Sequence, residues 1–373
     1  MPPAFIPGVE LSGRLYREAV LPLLSQQFPD LVHSAALIGA GSEVLGFDTA
    51  RSTDHDWGPR LQLFLGAEDL AEHGTAISEL LAERLPVSIA GYPTNLVAVG
   101  DRGTRHMMPA HGRIQHGIVV AEFGDWLTGH LGFNPQDEIT SFDWLATPSQ
   151  ALAEVTAGGV FHDGLAQLHP VRRQLAWYPD DVWHYVLACQ WQRISQEESF
   201  VGRCGEAGDE LGAAVITARL ARDLMRLCLL LNRVYPPYSK WLGSAFARLP
   251  DATRLTPMLT AALAATDRQD REQQLATAYE TVAALHNKIG RTEPVDANTR
   301  KFHDRPYRVL HAERFAAALI TTIHDPALRD LPLIGTIDQF VDNTDILSHR
   351  TRTRFLTRAG QLGDPARSFH ADR

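Results

Sequence analysis

The sequence predicts an α+β protein, in which a small mixed-sheet domain is followed by a larger helical domain. In roughly the first 130 residues, short apolar runs typical of strands alternate with amphipathic helical stretches. From about residue 145 onward, nearly every apolar stripe has helical period. The pattern changes within the loop 132–146, which contains Asn134-Pro135. We therefore predict domains at residues 1–140 and 141–356, and a flexible tail at 357–373.

The first domain is predicted to contain two long helices and several short strands. Apolar residues recur at helical spacing over 9–29 and 68–85. The strands are predicted from apolar or alternating runs at 34–38, 57–65, 86–90, 95–99 and 117–121. After the first strand, residues 39–42 (GAGS) form a tight turn, and a short helix is predicted to begin at 43–45.

The second domain is predicted to be almost entirely helical. Its apolar stripes lie at 149–157, 180–200, 210–234, 254–265, 270–289 and 308–323. The series is broken at Pro236-Pro237 and again over 290–306, which is rich in Pro, Asp, Asn and Thr.

The composition argues against several classes of protein. The formal net charge is −9 and the pI about 6.0, so a nucleic-acid backbone is not the expected ligand, although a locally basic pocket for a nucleotide is compatible with this charge. No run approaches the roughly 20 apolar residues of a membrane span. The first residues lack the basic and apolar regions of a signal peptide, and the three cysteines are far apart. A cytoplasmic protein without a membrane partner is expected.

The most specific pattern is the 39–42 turn, followed after eleven residues by Asp54-His55-Asp56. A strand that ends in Gly-x-Gly-Ser and turns into a helix offers backbone N–H groups and a hydroxyl to a phosphate. If the second segment is extended, Asp54 and Asp56 point to the same side. Two such carboxylates are hard oxygen ligands that suit Mg²⁺. Each part alone is also typical of ordinary turns, so the prediction depends on their combination.

The order strand, Gly-Ser turn, helix, loop, Asp-x-Asp, strand resembles the signature of the nucleotidyltransferase fold. This fold is shared by DNA polymerase beta and the antibiotic nucleotidyltransferases, and the resemblance covers residues 33–65. It implies that Gly41 and Ser42 hold the phosphates of a nucleotide. It also implies that Asp54 and Asp56 hold metal ions.

Nucleotidyltransferases usually add a third carboxylate, which completes the metal site or acts as the base. Glu122, directly after the 117–121 strand, is the first candidate, and Asp101 and Asp125 are the others. The alternative is an ordinary surface acid at the end of a strand. Without a third carboxylate, the site would bind a nucleotide but not turn it over.

The helical domain carries two lines of side chains at helical spacing. They are Gln190, Arg193, Ile194, Glu197 and Val201, and then Arg219, Asp223 and Arg226. Solvated helix faces with i,i+4 ion pairs explain either line. The alternative is the polar wall of a cleft around a turn that contains Arg203.

Longer stretches resemble a family of bacterial proteins described only as a domain of unknown function with a nucleotidyltransferase-like N-terminal domain. The stretches are 51–58 (RSTDHDWG), 91–93 (GYP), 176–183 (AWYPDDVW), 196–203 (QEESFVGR) and 237–241 (PYSKW). The resemblance runs over residues 30–345 and bears on fold more than on substrate.

In nucleotidyltransferases of the aminoglycoside type, a helical second domain faces the metal site, and a lysine there contacts the triphosphate. By this analogy Lys240 is the candidate, and it is one of only three lysines in the chain. Arg203 is a candidate phosphate ligand because its guanidinium is fork-shaped. Tyr238 and Trp241 are candidates to stack on a base, and core packing is the alternative.

Residues 101–116 are predicted to form a mobile loop over the site. His106, His111 and His116 recur every five residues there, a spacing that does not place them on one face. A metal site in this loop is therefore disfavoured.

These patterns together predict a Mg²⁺-dependent nucleotidyltransferase. It would transfer a nucleoside monophosphate from a nucleoside triphosphate, expected to be ATP, to a hydroxyl or amine of a small molecule. Glu122 would take the proton of this acceptor. Two alternatives stay open: a nucleotide-binding regulatory module without turnover, and a different biosynthetic enzyme on the same scaffold.

Overall fold

A computed structural model describes residues 3–100, 103–110 and 112–361 of the chain. It confirms the predicted α+β class, with a small mixed sheet near the N-terminus and a larger helical region after it. The chain forms two compact units. The first comprises Met1–Ile139 and Ala151–Ala176, and the second comprises Thr140–Gln150 and Trp177–Arg373.

The strands are short, and the four longest of them build one sheet. The described strands are β1 His33–Leu37, β2 Arg60–Leu65, β3 Ser88–Ile89, β4 Tyr92–Pro93, β5 Leu96–Val99, β6 Thr104–Met107, β7 Gly117–Glu122, β8 Gly159–Asp163, β9 Arg300–Lys301 and β10 Arg308–Val309. The main sheet has the order β7-β2-β1-β8. Strand β2 is parallel to β7, whereas β1 is antiparallel to both of its neighbours, β2 and β8.

The helices range from one turn to six turns in length. In chain order they are α1 Gly8–Leu15, α2 Leu21–Gln27, α3 Ala67–Arg84, α4 Phe123–Leu131, α5 Ser141–Ala146, α6 Ser149–Thr156, α7 Leu168–Gln174, α8 Asp180–Glu197, α9 Phe200–Glu206, α10 Glu210–Leu231, α11 Ser239–Phe246, α12 Ala252–Ala264, α13 Arg268–Lys288, α14 Glu313–Ile320, α15 Pro326–Arg329, α16 Ile337–Phe340, α17 Thr344–Leu347 and α18 Arg350–Gln361. A π-helical turn, Tyr16–Val20, joins α1 to α2, and a 3₁₀ helix covers Ala50–Asp54.

The first unit contains a strand that the sequence pattern does not predict. Strand β8 lies within the part of the chain that was expected to be helical, and it covers the second edge of β1. Ser34 on β1 donates a hydrogen bond to Asp163 at the end of β8 (3.1 Å). This pairing explains why residues 151–176 belong to the first unit and not to the predicted second domain.

Several predicted boundaries also shift. The strand predicted over 57–65 begins only at Arg60, because Gly58 has φ +144° and Pro59 follows it. The predicted loop 101–116 contains β6, which pairs with β5. At the C-terminal end, α18 continues to Gln361, past the start of the predicted tail, and residues 362–373 lie outside the described part of the chain.

The core of the first unit lies on both faces of the sheet. On one face, Leu11 and Leu15 of α1 belong to the same buried cluster as Leu61 and Leu63 of β2. On the other face, Phe64 contacts the ring of Phe123 at the start of α4, with 4.9 Å between ring centres. Strand β2 is therefore buried on both sides, as its apolar sequence predicts.

The core of the second unit is formed by long helices. Trp191 of α8 stacks on Phe315 of α14 with 4.5 Å between ring centres, and its indole N–H donates to His286 of α13 (3.1 Å). Strands β9 and β10 form a separate two-residue ladder. Within the described ranges, no helix is both long enough and apolar enough to cross a membrane.

Candidate functional site

The edge of the sheet where β1 ends and β2 begins carries both predicted motifs. The two strands are antiparallel, with Ala36 opposite Gln62. The side chain of Gln62 extends this pairing, since it accepts from the N–H of Ile38 (3.0 Å) and donates to Ile38 O (2.9 Å). The 39–42 turn therefore leaves the sheet at the same edge at which the segment 54–56 approaches it.

Two glycines give the 39–42 turn its shape. Gly39 has φ +88° and Gly41 has φ +153°, a region that favours glycine. A β-carbon on Gly39 would lie 3.1 Å from the ring of Trp126, and one on Gly41 would lie 2.3 Å from Nη2 of Arg60. The N–H of Gly39 is used internally, because it donates to Glu154 O (2.8 Å). The turn is thus packed against side chains and is not an open loop.

The helix predicted to follow this turn is not formed. Residues 42–46 make turns instead, in which Gly46 N–H donates to Glu43 O (3.2 Å) and Phe47 N–H donates to Ser42 O (2.8 Å). An anion at this turn would therefore meet backbone N–H groups and the Ser42 hydroxyl, but not the N-terminus of a helix.

A buried ion pair lies beneath the turn, and sequence reasoning missed it. Arg60 contacts Glu43 Oε1 through Nε (2.7 Å) and Nη2 (2.5 Å), and Nη2 also donates to Ala40 O (2.6 Å). The Glu43 side chain is 1% exposed and that of Arg60 20%. The sequence feature that could have indicated this ion pair is an acid directly after Gly-Ser together with an arginine at the start of an apolar strand.

Asp54 is not on a strand, which corrects the assumption of an extended segment. It ends the 3₁₀ helix Ala50–Asp54, whose first turn has a capping box between Thr49 and Ser52. The Asp54 side chain is 58% exposed, and its Oδ1 lies 2.9 Å from Nδ1 of His55. Desolvation raises the pKa of Asp54. The hydrogen bond with His55 and the charge of His55 together lower it by more, so the pKa of Asp54 lies below its usual value. Asp54 therefore ionises readily.

Asp56 occupies a left-handed turn position with φ +48°. Its N–H donates to Arg105 O (2.7 Å), and its Oδ1 accepts from Arg105 N–H (2.9 Å). Asp56 is thereby tied to the β5–β6 hairpin. The relation between Asp54 and Asp56 depends on turn geometry and not on the alternation of side chains along a strand.

Glu122 lies at the opposite end of the β2–β7 pair. The parallel register sets Arg60 opposite Gly117 and Leu65 opposite Glu122. Five steps of about 3.3 Å place Glu122 about 17 Å along the sheet from the Arg60 end. Its Oε2 accepts the N–H of Asp125 (2.6 Å) and caps α4. The structure therefore does not bring Glu122, or the neighbouring Asp125, to Asp54 and Asp56; Asp101 lies outside the described residues.

The two histidines of the predicted loop that the structure describes, His106 and His116, have different neighbours. The rings of His55 and His106 lie 6.4 Å apart, whereas His116 is turned toward Ser78 O (3.1 Å). Desolvation lowers the pKa of His116. His111 is outside the described residues. Within the ranges that the structure describes, no group of three or more His, Cys, Asp and Glu side chains could hold a metal ion.

The candidate residues of the helical unit are exposed and lie on a helix or directly before one. Arg203 of α9 holds its guanidinium 5.6 Å from the ring of Phe200. Lys240, at the start of α11, holds Nζ 4.8 Å from the ring of Trp241. Tyr238 precedes α11 and is 38% exposed.

Arg203 and Lys240 lie beside different parts of α10. Glu197, just before α9, pairs with Arg219 in the N-terminal half of α10. The segment before α11 lies beside the C-terminal half of α10. There Pro236 O accepts a hydrogen bond from Ser149, and both Ser149 and Arg226 of α10 donate to Asp338. The structure therefore does not bring the two cations together.

The two polar lines of α8 and α10 pair with each other. Arg193 Nε lies 2.9 Å from Asp223 Oδ2, and Arg219 Nε lies 2.9 Å from Glu197 Oε2. Gln190 also donates to Asp223 O (3.2 Å). These residues join two helices, so the interpretation as separate solvated faces with i,i+4 pairs is wrong for them.

Comparisons with known proteins give one family. A family model described as "Domain of unknown function (DUF4037)" matches residues 144–242. The matched segment includes Arg203, Tyr238 and Lys240. Neither curated proteins nor solved structures give a match. Over this segment the chain is thus similar to a family whose description names no activity, and the match neither supports nor opposes a nucleotidyltransferase fold.

Proposed function

We propose that the protein is a Mg²⁺-dependent nucleotidyltransferase, with a nucleoside triphosphate, expected to be ATP, as donor and a small-molecule hydroxyl or amine as acceptor. The observation that carries this proposal is the approach of two motifs to one edge of the sheet. The 39–42 turn follows β1 there, and the segment 54–56 precedes β2. A phosphate-binding turn beside two carboxylates is the arrangement that a metal-bound nucleotide requires.

The carboxylates available at this edge suit a magnesium ion that is shared with the substrate. Mg²⁺ is usually bound through one or two carboxylates together with phosphates and water, and not in a cage made only of protein. The Asp54 side chain is exposed, and Asp56 uses Oδ1 for Arg105, so that Oδ2 remains for a ligand. Asp54 and Asp56 would hold the ion, which when bound would neutralise charge on the phosphates.

The chain's own groups would act mainly by positioning. The hydroxyl of Ser42 and the backbone of Gly41 would contact the phosphates. Phosphate binding by Lys240 or Arg203 and stacking of Tyr238 on a base stay predictions from the sequence. The acceptor oxygen or nitrogen would form a bond to the α-phosphorus and release its proton to solvent, while the bond from the α-phosphorus to the bridging oxygen would break with release of pyrophosphate.

The alternative function is nucleotide binding without turnover. The position of Glu122 favours it, because the predicted base caps α4 at the far end of the sheet. In that case the protein would act as a regulatory module whose nucleotide stays intact.

Product analysis with ATP, Mg²⁺ and a panel of small-molecule hydroxyls and amines, with water as the default acceptor, separates these functions. Cleavage between the α- and β-phosphates yields AMP and pyrophosphate, and this outcome supports a nucleotidyltransferase. Binding of ATP without any product supports the regulatory module. ADP and inorganic phosphate would contradict both and favour a different enzyme on the same scaffold.

A further inference from the structure

The guanidinium of Arg60 lies directly against the 39–42 turn. Its Nη2 donates to Ala40 O (2.6 Å) and fills the space where a side chain on Gly41 would lie, 2.3 Å from an ideal β-carbon. Gly41 is therefore needed for the approach of this cation as well as for the shape of the turn.

Glu43 fixes only part of the guanidinium. It binds Nε (2.7 Å) and Nη2 (2.5 Å), both through Oε1, while its other oxygen, Oε2, is buried and accepts no hydrogen bond from the described residues. Among the residues that the structure describes, Nη1 of Arg60 also has no hydrogen-bond partner. A fifth of the Arg60 side chain remains exposed. The residue is thus oriented on one side and still has donors to offer on the other.

We propose that Arg60 is a ligand of the β- and γ-phosphates at this turn, and that Glu43 is the positioning residue that holds it there. The inference rests on the proposed function and adds a cation from the first unit itself. A guanidinium is suited to this role because its planar set of N–H donors matches two phosphate oxygens at once. Fixing the side chain in advance reduces the entropy lost when the ligand binds.

A role for Arg60 that is limited to neutralising Glu43 makes a different prediction. If Arg60 only neutralised Glu43, then replacing both residues with apolar ones would preserve the turn and its ligand binding. Replacement of a buried ion pair by apolar residues is often neutral for stability. The double variant Arg60→Leu/Glu43→Leu therefore separates binding from folding.

The test is calorimetric titration of the full chain with ATP and with AMP, each with Mg²⁺. The double variant should unfold at nearly the wild-type temperature but bind ATP about 10- to 100-fold more weakly, with a smaller loss for AMP. The matched control is Arg14→Leu/Glu10→Leu, which removes an exposed ion pair of the same charges (2.6 Å) and should leave ATP binding unchanged.

A second variant protects the test against misfolding. Arg60→Lys keeps the charge beside Glu43 but lacks the fork, and it should weaken ATP binding by about 3- to 10-fold. Wild-type affinity for ATP in both Arg60 variants, or an equal loss for ATP and AMP, would overturn the assignment and leave the proposed function standing. No ATP binding by the wild type would overturn the proposed function itself, and the role of Arg60 with it.

Discussion

Two hydrogen bonds join Asp56 to Arg105, one between backbone groups and one that uses the Asp56 side chain. The N–H of Asp56 donates to Arg105 O (2.7 Å), and the N–H of Arg105 donates to Asp56 Oδ1 (2.9 Å). A residue expected to bind a metal therefore also anchors the β5–β6 hairpin. Any substitution there must be chosen so that the loss of a ligand is not confused with the loss of the anchor.

The first prediction concerns the metal dependence of nucleotide binding. Asp54→Asn/Asp56→Asn should stay folded, since asparagine tolerates φ +48° at position 56 and keeps an oxygen to accept from Arg105. It should lose the Mg²⁺-dependent part of ATP binding, because two carboxylates are removed. Calorimetry with and without Mg²⁺ measures this. Identical Mg²⁺-dependent affinity in wild type and variant would rule out the aspartates as metal ligands.

The second prediction assigns Glu122 a structural role. Glu122→Ala removes the side chain that caps α4 through the N–H of Asp125 (2.6 Å). The free energy of unfolding should fall by about 1 kcal/mol, a typical cost of losing an N-cap. Mg²⁺-dependent ATP binding should not change. Urea titration and calorimetry measure the two quantities, and a loss of metal dependence with wild-type stability would restore Glu122 as a ligand.

The third prediction concerns Lys240. Lys240→Ala should weaken the binding of ATP by about 10- to 150-fold, because one charge-assisted contact contributes about 1.5–3 kcal/mol. The binding of AMP should weaken less, since it carries fewer negative charges. The control is Lys288→Ala, another exposed lysine, at the end of α13. Equal losses for ATP and AMP, or equal effects of the two variants, would remove Lys240 from the site.

The fourth prediction is a pH dependence of stability that arises from Glu198. This carboxylate is 6% exposed and accepts the N–H groups of Leu310 (2.6 Å) and Ala312 (2.9 Å). Burial raises its pKa from 4.5 to about 7, even though these hydrogen bonds lower it. The folded state therefore holds a proton that the unfolded state releases, and this contribution to stability is lost as the pH rises from about 4.5 through 7.

The comparison of wild type with Glu198→Gln isolates this contribution. At each pH, the free energy of unfolding of the wild type is subtracted from that of the variant. This difference should rise by about 3 kcal/mol between pH 4 and pH 8, because only the wild type loses the contribution of Glu198. Burial lowers the pKa of His286 to about 4, which gives the opposite slope at low pH, but His286 is present in both proteins and cancels. Urea titrations at four pH values measure the difference. A difference that does not vary with pH would contradict the raised pKa of Glu198.

The sequence was a good guide to local structure around the site. Residues 39–42 were predicted to form a turn, and Gly39 and Gly41 both have positive φ there; the apolar runs before and after the two motifs are strands. These features depend on a few adjacent residues, so pattern and backbone sterics are enough to predict them.

The features that were missed depend on long-range pairing. The face on which Glu122 lies can be argued from alternation, but the end of the sheet it reaches is set by the parallel pairing of β7 with β2. Arg60 and Glu43 are 17 positions apart and meet only because β1 and β2 are antiparallel. Neither register is encoded in a local pattern, so neither the position of Glu122 at the far end of the sheet nor the Arg60–Glu43 ion pair could be predicted.

The late position of β8 in the chain has a consequence for synthesis on the ribosome. When residues 1–139 have been made, β1 has only β2 beside it, because its other partner is Gly159–Asp163. At roughly 5–20 residues per second, the nascent chain carries this open strand edge for about 1–5 seconds before β8 is complete. An open edge is a template for pairing with another chain. A fragment that ends at residue 139 would keep its edge permanently and should elute as self-associated material in size-exclusion chromatography, whereas a monomeric fragment would show that β1 tolerates exposure.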